Sequence, residues 1–152
     1  NYQENLNKLS LKLPEAKAPV GNYVATKISG KMLFVSGQIS IDEKGELIKG
    51  KVGKDLDVQS GYNAAKRCAL SIISQIMKAC DNDLTKIKSC IKLTGFVNST
   101  DNFNDQPKVI NGASDLIASV FGDSGMHTRA AVSVNNLPLG VAVEVDAVFE
   151  LN

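Results

Sequence analysis

The segment RAAVSVNNLPLGVAVEVDAVF near the C-terminus constrains the fold more than any other part of the chain. Across Val141–Phe149, residues Val141, Val143, Val145, Ala147 and Phe149 alternate with Ala142, Glu144, Asp146 and Val148. Side chains that alternate with a period of two lie on opposite faces of a β-strand. One face of this strand is wholly apolar. The other is mixed, with two carboxylates between apolar neighbours.

Four other segments read as strands. Tyr23 to Ile28 and Met32 to Ile39 flank a turn at Ser29-Gly30-Lys31, and the continuous apolar run Met32–Val35 predicts a strand buried on both faces. In Ile87 to Val97, Ser89, Ile91, Leu93, Gly95 and Val97 take one face, and Lys88 and Lys92 take the other. Thr128 to Val134 precedes the connection Leu137-Pro138-Leu139-Gly140. After a turn at Lys44-Gly45, Glu46 to Val52 is a candidate edge strand, with Lys49 and Lys51 protecting the edge.

Three segments read as helices. Leu6, Leu9 and Leu13 recur at helical spacing within residues 1–13, before Pro14 and Pro19. Asp57 is a candidate N-cap for a long helix whose apolar stripe runs through Ala65, Cys68, Ala69, Ile72, Ile73, Ile76 and Cys80. Pro107 suits the first position of another helix, which carries Val109, Ala113, Leu116, Ile117, Val120 and Phe121 and has Gly122 at its C-terminal cap. The order β-β-(β)-α-β-α-β-β, without a linker or repeat, makes residues 1–152 one α+β domain. Two long helices cover one face of a mixed sheet. Apolar residues on the uncovered face predict association with other chains.

Composition narrows the function. Net charge is +1, Trp is absent and aromatic residues are 5% of the chain, so neither a basic patch nor a base-stacking platform is in view and no nucleic-acid partner is expected. Cys68, Cys80 and Cys90 have no paired spacing, and with His127 they make no zinc set, so they are expected as buried thiols in a reducing cytoplasm. No apolar run reaches membrane-spanning length, and no signal peptide is visible. GxxxxGK[ST], GxGxxG and GxSxG are all missing.

Candidate chemistry rests on a few residues. Glu144 and Asp146 share a strand face, as acid/base residues or as a solvated face. Arg129 is either a clamp for a carboxylate or one half of a surface ion pair. Ser36-Gly37 ends a buried strand, where glycine permits close approach of a ligand or simply a turn. Tyr23 either donates its hydroxyl to a ligand or packs. His127 precedes Arg129 by two residues and has no second histidine to form a metal triad with.

The blocks PVGNYVATKISGKMLFVSGQI, GYNAAKRCALSIISQI, KLTGFVNSTDNF and RAAVSVNNLPLGVAVEVDAVF resemble the RidA (YjgF) family in order and spacing, from about Pro14 to the C-terminus. The most specific feature is an arginine, Leu-Pro eight residues later, and a glutamate in the final strand. QPKVINGASDL and LPLGVAVEVD resemble one branch of that family. The resemblance implies a chorismate-mutase-like fold and a homotrimer with clefts between subunits. It implies hydrolysis of reactive 2-imino acids and their enamines, such as 2-aminoacrylate, to 2-keto acids and ammonia, without metal or organic cofactor. Carried over by position, Arg129 would hold the substrate carboxylate and Glu144 would activate water. Tyr23, Ser36, Gly37 and Asn111 would line the site. Ala131 stands where many members have cysteine; a main-chain role there would tolerate alanine. A non-catalytic regulator that binds small carboxylates, and an endoribonuclease or translation inhibitor, are the alternatives.

Overall fold

The computed structural model describes residues 1–152. Its elements are α1 (Tyr2–Lys8), β1 (Thr26–Ser29), β2 (Met32–Ile39), α2 (Val58–Ala79), β3 (Ile87–Asn98), α3 (Gln106–Phe121), β4 (Thr128–Val134) and β5 (Val143–Leu151). The five strands form one sheet in the order β1-β2-β5-β3-β4. All neighbours are antiparallel except β3 and β4, which are parallel. A parallel pair needs a crossover, and α3 is that crossover. The C-terminal strand therefore sits in the middle of the sheet, and β4 lies at an edge.

Val143, Val145, Ala147 and Phe149 are all buried under the helices, as the alternation of β5 requires. Leu33 and Val35 of β2 join them from one side, and Leu93 and Val97 of β3 from the other. From α2, Cys68, Ile72, Ile73 and Ile76 are fully buried, and α3 adds Val109, Ile110, Ala113 and Ile117. Burial of one such aliphatic side chain contributes ~1.5–3 kcal/mol. Asp57 caps α2 as expected, its carboxylate accepting from the Ser60 N–H at 2.8 Å. Pro107 is the second residue of α3, and Gly122 caps it at φ 58°. All three cysteines are buried and free.

Several details differ from the expectation. The first helix stops at Lys8, because Ser10 turns to φ 52°. Leu9, at the C-cap of α1, and Leu13, in the irregular segment that follows, still pack on the core, and α2 holds that segment. Ser74 donates to the Pro14 carbonyl at 2.7 Å and Gln75 to that of Lys17 at 2.9 Å. Tyr23 precedes β1 rather than lying within it. Glu46–Val52 forms no strand, only isolated bridges of Leu47 to Ile41, Lys49 to Val141 and Val52 to Leu56 and Ser99. Lys51 guards no edge; its ammonium donates to Asn98 Oδ1 at 2.9 Å and to the Asn135 carbonyl at 2.7 Å.

The faces of β2 and β3 also need correction. Phe34 is 46% exposed, so the apolar run Met32–Val35 is buried on one side only in the single chain. In β3 the register shifts between Ile87 and Ser89 and again between Cys90 and Lys92. These bulges turn Cys90 inward in place of Ser89 and Ile91, which strict alternation could not anticipate.

The two long helices meet at Gly112. A Cβ there would overlap the Tyr62 carbonyl, with the carbonyl carbon 2.8 Å and the Lys66 nitrogen 3.2 Å away. These atoms are backbone and have no side-chain freedom to yield. Gly112→Ala is therefore expected to destabilise the chain by about 1–3 kcal/mol or more, read as a lower urea midpoint at unchanged m-value.

Candidate active site

The sequence-predicted site residues fall into two groups on opposite faces of the sheet. The first lies where edge strand β4 meets α3. Arg129 pairs in register with Leu93, a core residue, so its side chain emerges on the helix-covered face. Its Nη1 donates to Asn111 Oδ1 at 2.8 Å and to Ser114 Oγ at 3.2 Å. Asn111 and Ser114 are three apart on α3, one helical face. Ala131 lies two residues along β4 on the same face and packs against the core. Arg129 takes part in none of the four salt bridges of the chain. The surface ion pair is thus excluded within the chain, and Nε and Nη2 have no protein partner.

The second group lies on the uncovered face, around Glu144. In register, Glu144 sits between Ile39 of β2 and Phe96 of β3. The β2–β5 register slips between Val35 and Gln38, so Ser36 and Gly37 form a bulge. A Cβ on Gly37 would overlap the Glu144 carboxylate, whose Cδ would be 2.9 Å from it. Glycine at 37 is therefore what lets the carboxylate lie against the bulge. Ser36 is tied to the segment before β1: its hydroxyl donates to the Val24 carbonyl at 2.7 Å and its N–H to that of Ala25 at 2.9 Å. Tyr23, 54% exposed, stands at the start of that segment.

Burial pushes the Glu144 carboxyl above its ordinary range, and Asp146 adds like-charge repulsion. Asp146 is also raised by burial, against the pull of Thr94 and Lys92. Both carboxylates are half-buried on the uncovered face. Glu144 is a carboxylate whose basicity exceeds that of a free one.

One chain does not bring Arg129 and Glu144 together, since β3 lies between their strands and they face opposite ways. Nor do two of the surface concavities, one lined by Tyr2, Asn82, Leu84 and Lys88 and one by Gly53, Leu56, Ser60 and Phe103, contain any of the predicted residues. Ser114 and the bonding of His127 were not visible in the sequence. The available signal was the spacing of Ser114 from Asn111. No group of three or more His, Cys, Asp or Glu side chains could hold a metal ion. No helix is long and apolar enough to cross a membrane.

The model of the YjgF/chorismate mutase-like family, whose description also names endoribonuclease, matches residues 3–151. The chain belongs to this family. Its chorismate-mutase-like fold is accordingly the one expected. Protein TCP17 of Trypanosoma cruzi is 50% identical over 97% of this chain and 92% of its own length. The crystal structure of Atu1372 from Agrobacterium tumefaciens, of unknown function, superposes with a TM-score of 0.92 at 44% identity, covering 99% of this chain and 92% of that one. The human 2-iminobutanoate/2-iminopropanoate deaminase is 29% identical over 88% of this chain and 84% of its own.

The raised carboxyl of Glu144 has a consequence for stability. Well below the ordinary value of 4.5, Glu144 is protonated in both folded and unfolded chains. As pH rises, the unfolded chain ionises freely while the folded one resists, so this residue subtracts stability above that value. Glu144→Gln is expected to raise Tm at pH 7, by about 2–4 °C for each kcal/mol relieved. The gain should vanish near pH 4 in a thermal melt followed by circular dichroism.

Proposed function

We propose that this protein hydrolyses reactive 2-imino acids and their enamines, such as 2-aminoacrylate, to 2-keto acids and ammonia, at sites built between subunits of a homotrimer. The observation that carries this reading is the guanidinium of Arg129: held by α3 through one nitrogen, with the rest of its fork unpaired. A planar fork without an internal partner suits the carboxylate of a small acid, bound by two charge-assisted hydrogen bonds. The family relatives that are 2-iminobutanoate/2-iminopropanoate deaminases support this substrate class.

The division of the site supports the assembly. The uncovered face carries Phe34 and Val132, 46% and 44% exposed, beside Glu144 and Asp146. Another copy that covers this face would bring its own β4 edge, with Arg129, Asn111 and Ala131, toward Glu144, Gly37, Ser36 and Tyr23. Arg129 of one subunit then fixes the substrate carboxylate, and Glu144 of the next accepts a proton from water. The water oxygen bonds to the imine carbon as Glu144 returns its proton to the nitrogen. Glu144 then takes the hydroxyl proton of the carbinolamine and passes it to the amino nitrogen, the C–N bond breaks as the carbonyl forms, and ammonia leaves. Ala131 acts in this scheme through its backbone, since no step needs a thiol. Imine hydrolysis has a low barrier, so orientation and one base suffice. The non-catalytic alternative is the same cleft holding a keto acid without turnover.

Keto-acid release from freshly generated 2-aminoacrylate tests the reading. Arg129→Ala should lower kcat/KM about 10²-fold or more, from two lost bonds to a charged group. Glu144→Gln should lower kcat roughly 10²–10⁴-fold, the contribution of a positioned base. The acid limb of the native pH profile should lie above the ordinary glutamate range, because the carboxyl is raised and must be ionised to work. Mixing the two inactive variants by joint refolding should restore about a quarter of native activity, since random cyclic trimers keep one intact pair in each mixed ring. Binding of 2-oxobutanoate without any acceleration would instead establish the regulator. No recovery on mixing would overturn the shared site.

A further inference from the structure

We propose that Ser114 and His127 are positioning residues for Arg129, joined in a hydrogen-bond chain whose direction is fixed only while the imidazole is neutral. The inference rests on the role of Arg129 as carboxylate anchor.

The direction of the chain follows from its ends. His127 Nδ1 lies 2.6 Å from the Gly125 carbonyl oxygen, which can only accept, so Nδ1 carries a proton. In a neutral ring Nε2 then presents a lone pair, and Ser114 Oγ at 2.9 Å must donate to it. The hydroxyl proton of Ser114 is thereby committed, and its oxygen faces Arg129 as an acceptor for the Nη1–H at 3.2 Å. The second Nη1 proton goes to Asn111 at 2.8 Å. Both protons of Nη1 are consumed by α3. The guanidinium plane is fixed at two points, and Nε and Nη2 are the donors left for a ligand.

Protonation of His127 breaks this order. Nε2 becomes a donor, Ser114 Oγ receives from two cations, and its own proton must turn away from the ring. No carboxylate forms an ion pair with the ring. Asp115 on α3 accepts from the Tyr62 hydroxyl at 2.7 Å. Asp123, on the turn Gly122–Gly125, makes no bond to the ring. Lys92 of β3 lies on the other face, where it acts on Asp146. Carboxylate binding should therefore weaken as His127 becomes charged, for a reason separate from the protonation of Glu144.

The composition of the chain makes the test direct. His127 is the single histidine, and Arg67 and Arg129 are the two arginines, so their side-chain nuclear magnetic resonance signals are few and separable. In the assembled native protein, lowering the pH from about 8 to about 5 should move the Arg129 Nε signal in step with that of the His127 ring. Ser114→Ala should uncouple the two. His127→Gln keeps an acceptor toward Ser114 without titrating, and should hold the Arg129 signal constant across that range.

Calorimetry with 2-oxobutanoate is the second arm. At neutral pH, Ser114→Ala and His127→Leu should weaken binding about tenfold, as expected for one lost bond to a charged donor, while His127→Gln retains native affinity. In turnover the loss should fall on KM rather than kcat. Coupling that survives in Ser114→Ala, or a Ser114→Ala variant that is folded and binds like the native chain, would overturn the proposal. If 2-oxobutanoate binds neither the native protein nor any variant, the anchor reading fails, whereas the resonance arm still decides whether the chain of bonds exists.

Discussion

The central position of β5 governs the rest of the structure. A strand flanked on both sides cannot slip by one residue without moving every side chain to the wrong face. Its odd-numbered residues, Val143 through Phe149, fill the space beneath α2 and α3. Its even-numbered residues, Glu144, Asp146 and Val148, must then point the other way. The force that buries the core is therefore also what holds a half-desolvated carboxylate on the open face. Glu144 cannot relax into the interior, because that would expel a valine and bury a charge without a partner.

A second dependence runs through the parallel pairing of β3 with β4. Its crossover α3 lies over the edge of the sheet, and the approach of α3 to α2 at Gly112 fixes how it lies. Asn111 adjoins that contact, and Ser114 is one turn further on. Packing of the two helices, a matter of stability, thus sets the position of the atoms that hold Arg129. The Arg129 cluster is thus braced by the core, and Glu144 lies against a backbone bulge on the opposite face.

Much of this was legible in the sequence, for identifiable reasons. The period of two in β5 and the apolar stripe of α2 are repeated signals, and repetition averages out single exceptions. Arg129, Glu144, Ser36 and Gly37 were singled out in the sequence as candidates, with the roles that the family resemblance implies. The misses are single-residue events. Ser10 ends α1 through its own backbone angle, two bulges put Cys90 on the inward face of β3 in place of Ser89 and Ile91, and Glu46–Val52 makes only isolated bridges. Nothing in a local pattern reports them. The pairing of Ser114 with His127 and Arg129 was hidden for another cause: it joins two segments that only the crossover brings together.

The separation of Arg129 from Glu144 has its own chemical logic. A site that binds an anion and activates water needs a cation and a carboxylate close to one substrate. Placed side by side in one chain, the two would form an ion pair, which would occupy the fork of Arg129 and draw the carboxyl of Glu144 down, making it a weaker base. With the sheet between them, neither neutralises the other during folding. Arg129 keeps its free donors, and Glu144 keeps a carboxyl raised by burial and by Asp146. In the proposed assembly the two would meet only across a subunit boundary, with the substrate carboxylate as the partner of the arginine, and both properties would be preserved. On that proposal the acidic and apolar face of one chain would be the counterpart of the unpaired arginine at the edge of the next.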